Sequence, residues 1–155
     1  MKRNTYSSMI IFVIVLLVSA CSSPGTQAPE IPTATSAPQS SQVQDQDGLI
    51  DALRTDGANV ELGEPVEQAF FTVPGQILKV NGKDVQVFEY ESAEALEADA
   101  AQVAPDGGSI GTNMVMWVEA PHFFKSGRVL VLYVGEDQGV INLLKGAMGE
   151  QFAGR

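Results

Sequence analysis

A change in composition at Asp47 divides the chain into a part that cannot form a hydrophobic core and a part that can. The 25 residues from Ser22 to Gln46 contain four Pro, five Ser, three Thr and five Gln, and no aromatic residue. Such a segment cannot bury enough apolar surface to offset the loss of chain entropy, so we expect a disordered tether. The aromatic residues after position 21 all lie in residues 47–155, which are long enough for one folded domain and too short for two.

The N-terminal residues have the pattern of an exported protein. Two basic residues precede an apolar run at Met9–Val18. As a helix this run would span about 15 Å, half of the ~30 Å hydrocarbon core of a bilayer, which favours a secretory signal peptide over a transmembrane helix. The run ends shortly before Ala20 and Cys21, and the residues from 17 to 21 resemble a bacterial lipobox.

The resemblance to a lipobox implies cleavage between Ala20 and Cys21 and attachment of palmitate-type acyl chains to the new N-terminal cysteine. Two or more acyl chains anchor a protein stably, whereas one holds it only marginally. The alternative is a simple secretory signal followed by a chance cysteine. We therefore expect a cleaved signal peptide (1–20), a lipidated cysteine with a tether (21–46) and a folded domain (47–155). The sequence places the protein on the extracytoplasmic face of a membrane and does not decide between a plasma and an outer membrane.

Composition narrows the partners that this protein can have. The chain has nine Lys and Arg, two of them in residues 1–20, so seven remain in the expected mature form against 19 Asp and Glu. A formal charge of −12 argues against nucleic-acid binding and repels an anionic membrane surface. One cysteine excludes an internal disulfide and a thiolate cluster, and one histidine excludes a metal cage with two histidines. We expect an unidentified envelope protein or ligand as partner, and no cofactor or metal.

Asn81-Gly82 is the strongest local signal in residues 47–155. The pair lies between two segments rich in apolar residues, which predicts a two-residue type I′ hairpin. In this register Val80 opposes Lys83 and Leu78 opposes Val85. Because both faces of the hairpin are apolar, we expect it to be central in the sheet or covered on both sides.

The other predicted elements complete an α+β fold. Asp47, Ser92 and Asp137 are the expected N-caps of three helices, and Gly57 and Gly149 the expected stops of the first and last. Short turns between clustered strands favour a mostly antiparallel sheet of about five strands with helices on one face. The predicted order is α-β-β-β-α-β-β-α, with strands at residues 68–73, 76–80, 83–90, 114–119 and 128–134.

Two short motifs could carry chemistry and are better explained by structure. His122 beside Glu119 could be a general base, but no nucleophile motif accompanies it, which favours a loop histidine packed by aromatic neighbours. Asp45–Asp51 resembles part of a calcium loop. Aligned on that loop, Val43 and Arg54 occupy two essential ligand positions, so the end of the tether and a helix cap are the better interpretation.

Adjacent aromatic residues indicate a candidate binding patch. Neighbours on a strand point to opposite faces, so one ring of each pair could lie outside the core, and Phe71, His122 and Phe124 are the candidate patch. The alternative is that helices and loops cover them. Gly107–Gly111 lacks the context of a phosphate loop and reads as a turn, and the acidic residues of Glu89–Asp99 read as a solvated face.

A series of short motifs resembles a known bacterial family. The motifs are Phe71–Gly75, Val80–Gly82, Val87–Tyr90, Trp117, Pro121–Phe124, Val131–Gly135 and Gly149–Gly154. On these motifs the segment from Asp51 to Gly154 resembles small, uncharacterised lipoproteins and secreted proteins of bacilli and related bacteria. The resemblance implies one compact domain behind a lipid anchor and assigns no ligand or catalytic residue.

The sequence therefore predicts a lipid-anchored, extracytoplasmic binding or accessory domain of the cell envelope without catalytic function. A small envelope hydrolase that uses His122 with a neighbouring carboxylate is the alternative. A component of envelope stress or adhesion is a third possibility that the sequence does not distinguish.

Overall fold

The computed structural model describes residues 43–155. The predicted signal peptide, Cys21 and the tether up to residue 42 lie outside the described residues. In residues 43–155 no helix is long and apolar enough to cross a membrane. The helices are α1 (Gln46–Thr55), α2 (Ala93–Ala100) and α3 (Gln138–Met148). The strands are β1 (Val60–Val66), β2 (Gly75–Val80), β3 (Lys83–Glu89), β4 (Ser109–Ile110), β5 (Asn113–Met114), β6 (Pro121–Ser126), β7 (Val129–Val134) and β8 (Ala153–Gly154).

Six strands form one antiparallel sheet in the order β1-β2-β3-β7-β6-β8, and β4 pairs with β5 in a small separate sheet. The predicted α+β class is confirmed, and so is the predicted order of helices and longer strands. The main sheet has one strand more than the five that were expected, because the short β8 adds to β6 at its edge.

The predicted hairpin is present in the predicted register. Val80 pairs with Lys83 and Leu78 with Val85. The turn residues Asn81 and Gly82 have φ angles of 52° and 81°, the left-handed region that a type I′ turn requires. The hairpin strands β2 and β3 lie inside the sheet between β1 and β7, so the expectation of a central hairpin is confirmed. One face is buried, whereas on the other face the paired Lys79 and Asp84 are exposed.

Helices α1 and α3 cover one face of the main sheet, which we call the helical face. Asp45 caps α1 by accepting from the Gly48 N–H, and Asp137 caps α3 by accepting from the Gly139 and Val140 N–H groups. A stripe of apolar residues on each helix packs on aliphatic strand residues. The buried residues of the two helices are Leu49, Ile50, Leu53, Val140, Ile141, Leu144 and Met148.

The opposite face of the sheet, which we call the aromatic face, has a different cover. It consists of α2, the irregular segment 67–74, and residues 101–120, which are irregular except for the short β4–β5 sheet. Phe71 packs on Phe88 with ring centroids 4.7 Å apart, and Trp117 packs on Phe123 at 6.0 Å. The expectation that all helices lie on one face is therefore wrong. The strands are apolar on both faces, so both faces have to be covered.

Two predicted strands were placed on the wrong segments. Residues 68–73 form turns, in which the Phe71 N–H donates to the Gln68 carbonyl, and the first strand is instead β1, at the edge of the sheet. Residues 114–119 contribute only Met114 to a strand. The segment Pro121–Ser126, which was interpreted as a loop, is β6.

The folded domain extends further toward the N-terminus than predicted. Val43 is buried in the core of the helical face, and the Gln44 carbonyl accepts from the Arg128 N–H. The N-cap of α1 is Asp45 and not Asp47, because the Asp45 carboxylate accepts from the Gly48 N–H at 2.9 Å. Residues 43–46, which were expected to belong to the tether, therefore contact the folded domain or belong to α1.

Candidate functional site

The imidazole of His122 is a buried structural group. Its Nδ1 lies 2.9 Å from the Gln151 Oε1 and its Nε2 3.0 Å from the Gly135 carbonyl oxygen, while the ring stacks on Tyr133. Because a carbonyl oxygen only accepts, Nε2 carries a proton and donates to Gly135. The neighbouring carboxylate that the hydrolase alternative requires is not a hydrogen-bond partner of this ring in the described part of the chain.

The structure does not bring Phe71, His122 and Phe124 together at the surface, so the candidate patch is wrong. All three are buried. Phe124 packs in the core of the helical face, whereas Phe71 packs in the core of the aromatic face on the other side of the sheet. His122 lies two residues from Phe124 on β6 and therefore shares its face. Helices and irregular segments cover these side chains, which was the alternative left open.

Exposed apolar side chains lie elsewhere, in the segment that follows β5. Met114, Met116 and Val118 are 90%, 97% and 94% exposed, and we call these three residues the methionine row. The intervening Val115 and Trp117 point inward and pack on the core of the aromatic face. The alternation has the period of two that is typical of extended chain. Large apolar side chains so fully exposed and so close together indicate an interaction surface.

The backbone that carries the methionine row is fixed to the domain. The Trp117 indole N–H donates to the Gly107 carbonyl at 2.6 Å, and the Val115 N–H donates to the Gly108 carbonyl at 3.1 Å. The Trp117 ring also packs edge-on against Phe70, with centroids 6.3 Å apart. The row is therefore presented by an anchored segment, although its side chains contact solvent.

One edge of this segment has free backbone groups. The Val115 N–H points toward β4, so by alternation the N–H groups of Met114, Met116 and Val118 point to the opposite edge. Among the described residues, no backbone hydrogen bond involves the N–H of Met116 or Val118.

A buried carboxylate fixes the other irregular segment of the aromatic face. Asp99 Oδ2 accepts from the Thr72 N–H at 2.8 Å, from the Thr72 hydroxyl at 2.9 Å and from the Tyr90 hydroxyl at 2.9 Å. Gln102 donates to Oδ1. The prediction that Asp99 faces water is wrong, because this side chain is the acceptor that segment 67–74 needs. Burial raises the pKa of Tyr90 well above its ordinary value, and the hydrogen bond to Asp99 raises it further.

A polar cleft of about 490 Å³ lies at the end of the β2–β3 hairpin. It is lined by charges of both signs, and Lys79 and Asp84 form an ion pair at 2.7 Å within it. In residues 43–155, no group of three or more His, Cys, Asp or Glu side chains is placed to hold a metal ion. The other lining residues of the cleft are Gly82, Lys83, Glu119, Tyr133, Val134, Glu136 and Asp137.

The glycine-rich and acidic motifs have structural roles. Gly107 has a φ of 69° and lies in the turn that accepts the Trp117 indole N–H, and Gly111 turns the chain between β4 and β5. Of the acidic residues, Glu89 pairs with Arg128 and Glu97 with Lys125.

Comparison with known proteins adds no assignment. No family model matches this chain, and no curated protein or solved structure matches it. The resemblance to small bacterial lipoproteins stays a prediction from the motifs.

Proposed function

We propose that this protein is a lipid-anchored, extracytoplasmic lipoprotein whose folded domain binds a partner through the methionine row, without catalysing a reaction. The single observation that carries the binding role is the near-complete exposure of Met114, Met116 and Val118 on a segment that is itself anchored. Burying one such side chain against a partner is worth about 1.5–3 kcal/mol. A domain that leaves three of them in water presents a surface suited to an apolar contact.

The anchoring part of the proposal is supported by the sequence of the N-terminal segment. The only cysteine of the chain is Cys21, at the position where lipidation would use it. A tether of residues 22–42 would let the domain reach roughly 23–27 Å from the membrane surface. The acidic domain then remains away from anionic headgroups.

The environment of His122 favours binding over the hydrolase alternative. Both ring nitrogens contact groups that orient the ring, Gln151 and the Gly135 carbonyl, and the ring is buried. A general base has to reach the proton that it removes. Here the imidazole connects β6 with the C-terminal residues and with the loop before α3.

Anchoring is tested by replacing Cys21 with Ser in the full chain. The wild-type protein should lose residues 1–20, gain the mass of acyl chains and sediment with membranes. The Cys21→Ser protein should retain residues 1–20 and lack the added mass. An unmodified thiol at Cys21 in the protein recovered from cells would contradict the anchor.

The binding role is tested by photocrosslinking in intact cells. A photoreactive amino acid at position 116 should give discrete crosslinked products. The same probe at position 62 is the matched control, because Leu62 is also apolar and 68% exposed but lies outside the row. Equal products from both positions, or none from position 116, would contradict a binding surface at the methionine row.

A further inference from the structure

We infer that Met114 and Met116 form a site of reversible oxidation, at which conversion of two thioethers to sulfoxides makes the methionine row polar while the domain stays folded. The observation behind the site is the exposure of these two side chains, 90% and 97%. The consequence for binding rests on the role proposed for the row, because a polar row would no longer suit an apolar contact.

The structure separates the methionines of residues 43–155 into two classes. Met114 and Met116 are almost fully exposed, whereas Met148 is 8% exposed and packs in the core of the helical face. A peroxide oxidises a thioether by direct contact with the sulfur atom, so exposed methionines react first. Oxidation of the folded domain should therefore be selective for the two methionines of the row.

Packing does not explain why methionine stands at positions 114 and 116. The buried apolar residues of the domain are mostly Val, Leu, Ile, Phe and Ala, and Met148 is the one methionine among them in residues 43–155. Val118 has an equally exposed position in the row and carries no sulfur. What methionine adds to an exposed apolar position is a flexible side chain with an oxidisable sulfur atom.

The cysteine sulfur of the chain is expected to be blocked. Cys21 is the only cysteine, and the anchor proposed above attaches an acyl chain to its sulfur. A thioether does not form disulfides, so the sulfur chemistry open to the domain is oxygen transfer. A peroxide outside the cytoplasm is the reactant that this step requires.

The reaction is a two-electron oxygen transfer. The methionine sulfur attacks one oxygen of hydrogen peroxide, the O–O bond breaks, and an S–O bond forms. The sulfur is oxidised by two electrons, the peroxide is reduced, and the second oxygen leaves as water with both protons. The reverse step requires a methionine sulfoxide reductase and a thiol reductant, which return two electrons and release the oxygen as water.

The fold does not depend on the two side chains that react. The segment is held by the Val115 N–H, which donates to the Gly108 carbonyl, and by the Trp117 indole, which donates to the Gly107 carbonyl. Both groups belong to the inward-pointing residues between the members of the row. The sulfoxide oxygens of the row would contact water. At Met148 the same oxygen would be buried in an apolar core, which is unfavourable.

Oxidation removes the property that suits the row to an apolar partner. A sulfoxide oxygen is a hydrogen-bond acceptor, and burying it without a donor is unfavourable. Val118 stays apolar, so two of the three side chains of the row change. We expect oxidation of both methionines to weaken binding at least about tenfold.

The site is tested by exposing the purified full chain to hydrogen peroxide and following each methionine by mass spectrometry. In the native protein, Met114 and Met116 should be oxidised at least about tenfold faster than Met148. In urea the three rates should be equal, because unfolding removes the protection of Met148. Equal rates in the native protein would overturn the site.

Thermal unfolding tests whether the oxidised domain stays folded. With Met114 and Met116 oxidised and Met148 still reduced, the midpoint should change by less than about 3 °C. A larger drop would overturn the claim that the row is oxidised without loss of the fold.

The effect on binding is tested in washed membranes with a photoreactive amino acid at position 118, which leaves both methionines in place. Peroxide should reduce the yield of crosslinked products at least about tenfold. Methionine sulfoxide reductases for both sulfoxide epimers, supplied with dithiothreitol, should restore the yield. A loss that these enzymes do not reverse would overturn the reversible site.

Two variants show which sulfur atoms are responsible. Met148→Leu removes the buried sulfur and conserves the row, so its yield should fall with peroxide as much as that of the wild-type sequence. In a protein that carries both Met114→Leu and Met116→Leu, peroxide should leave the yield at that protein's own untreated value. A fall in this double variant would mean that oxidation elsewhere, in the partner for example, causes the loss.

The failure of this inference differs from the failure of the proposed function. If the probe at position 118 gives no products in untreated membranes, the binding role is wrong, and the mass spectra still decide on the oxidation site. If products form and persist after Met114 and Met116 are both oxidised, the binding role stands and control of binding by oxidation is wrong.

Discussion

The two faces of the main sheet are covered by different means. On the helical face, α1 and α3 bury aliphatic side chains at a regular helical spacing. On the aromatic face, α2 is only eight residues long, and the rest of the cover is irregular backbone that depends on Asp99 and Trp117 for its hydrogen bonds. The comparison shows that helices which cover a sheet are specified by the spacing of their apolar residues. Irregular backbone that covers a sheet needs individual polar contacts instead. The irregular cover is also the one that carries the methionine row.

Two adjacent phenylalanines give the largest test of this difference. Phe123 packs on the aromatic face and Phe124 on the helical face, and both are fully buried. Either Phe→Ala change should lower the free energy of unfolding by about 3–5 kcal/mol, measured by urea unfolding of the full chain. Only Phe123→Ala should also change the native fluorescence of Trp117, whose ring lies 6.0 Å from Phe123. The same native spectrum change in Phe124→Ala would break the separation of the two faces.

The loss of one carboxylate on each face gives the next largest effect. Asp99→Ala leaves the Thr72 N–H and the Tyr90 hydroxyl without their acceptor, which should cost about 3 kcal/mol. Asp137→Ala removes an exposed helix cap from the helical face and should cost about 1 kcal/mol. Urea unfolding of both variants measures the difference. Equal losses would show that the aromatic face does not depend on its polar contacts more than the helical face does.

Alkaline pH should lower the free energy of unfolding through Tyr90, which is buried on the aromatic face. Burial and Asp99 raise the pKa of Tyr90, so the folded protein keeps this proton at a pH at which an unfolded tyrosine, with a pKa of about 10, loses it. Above pH 10 the unfolded state then binds fewer protons, and the free energy of unfolding falls by up to about 1.4 kcal/mol per pH unit. Below pH 10 this contribution is constant.

The pH effect is measured by urea unfolding between pH 9 and 11. Tyr90→Phe should lose this part of the pH dependence. Tyr133→Phe is the control on the helical face and should keep it, because Tyr90 is intact in that variant. A wild-type slope equal to that of Tyr90→Phe would contradict the role of Tyr90.

The smallest effect is expected at the methionine row. Met116→Ser should change the free energy of unfolding by no more than about 0.5 kcal/mol, because this side chain has no contact to lose. Thermal unfolding of the full chain measures it. A loss above about 1 kcal/mol would mean that the row belongs to the core of the aromatic face, and the proposed binding surface would then be withdrawn.

How much could be predicted from the sequence differs between the two faces as well. The hairpin at Asn81-Gly82 and the cap at Asp137 were predicted correctly, because a left-handed turn and a helix cap depend on neighbouring residues. Strand β1 was missed, since Gly63 and Pro65 interrupt its alternation. The role of Asp99 was also missed. The Asp99 carboxylate accepts a hydrogen bond from Thr72, which is 27 residues away in the chain, and no local pattern indicates such a contact.

The methionine row could not be predicted from the sequence, for a different reason. Residues 114–118 are all apolar, so their period does not tell which alternate residues point inward. That choice is made by the Trp117 indole, which needs the Gly107 carbonyl as acceptor and therefore turns toward the core. Phe71 and Phe124 were candidates for one patch because their neighbours are aromatic, and the topology of the sheet places them on opposite faces.

Hydrogen exchange at individual amides of the full chain tests most directly whether the aromatic face closes over its core and yet leaves the row open. In dilute protein, the Val115 amide should be protected by its hydrogen bond to Gly108, whereas the Met116 and Val118 amides should exchange rapidly. Alternating protection along these neighbouring residues would establish the anchored segment with its open edge. Uniform protection, or uniformly rapid exchange from residue 113 to 118, would contradict it.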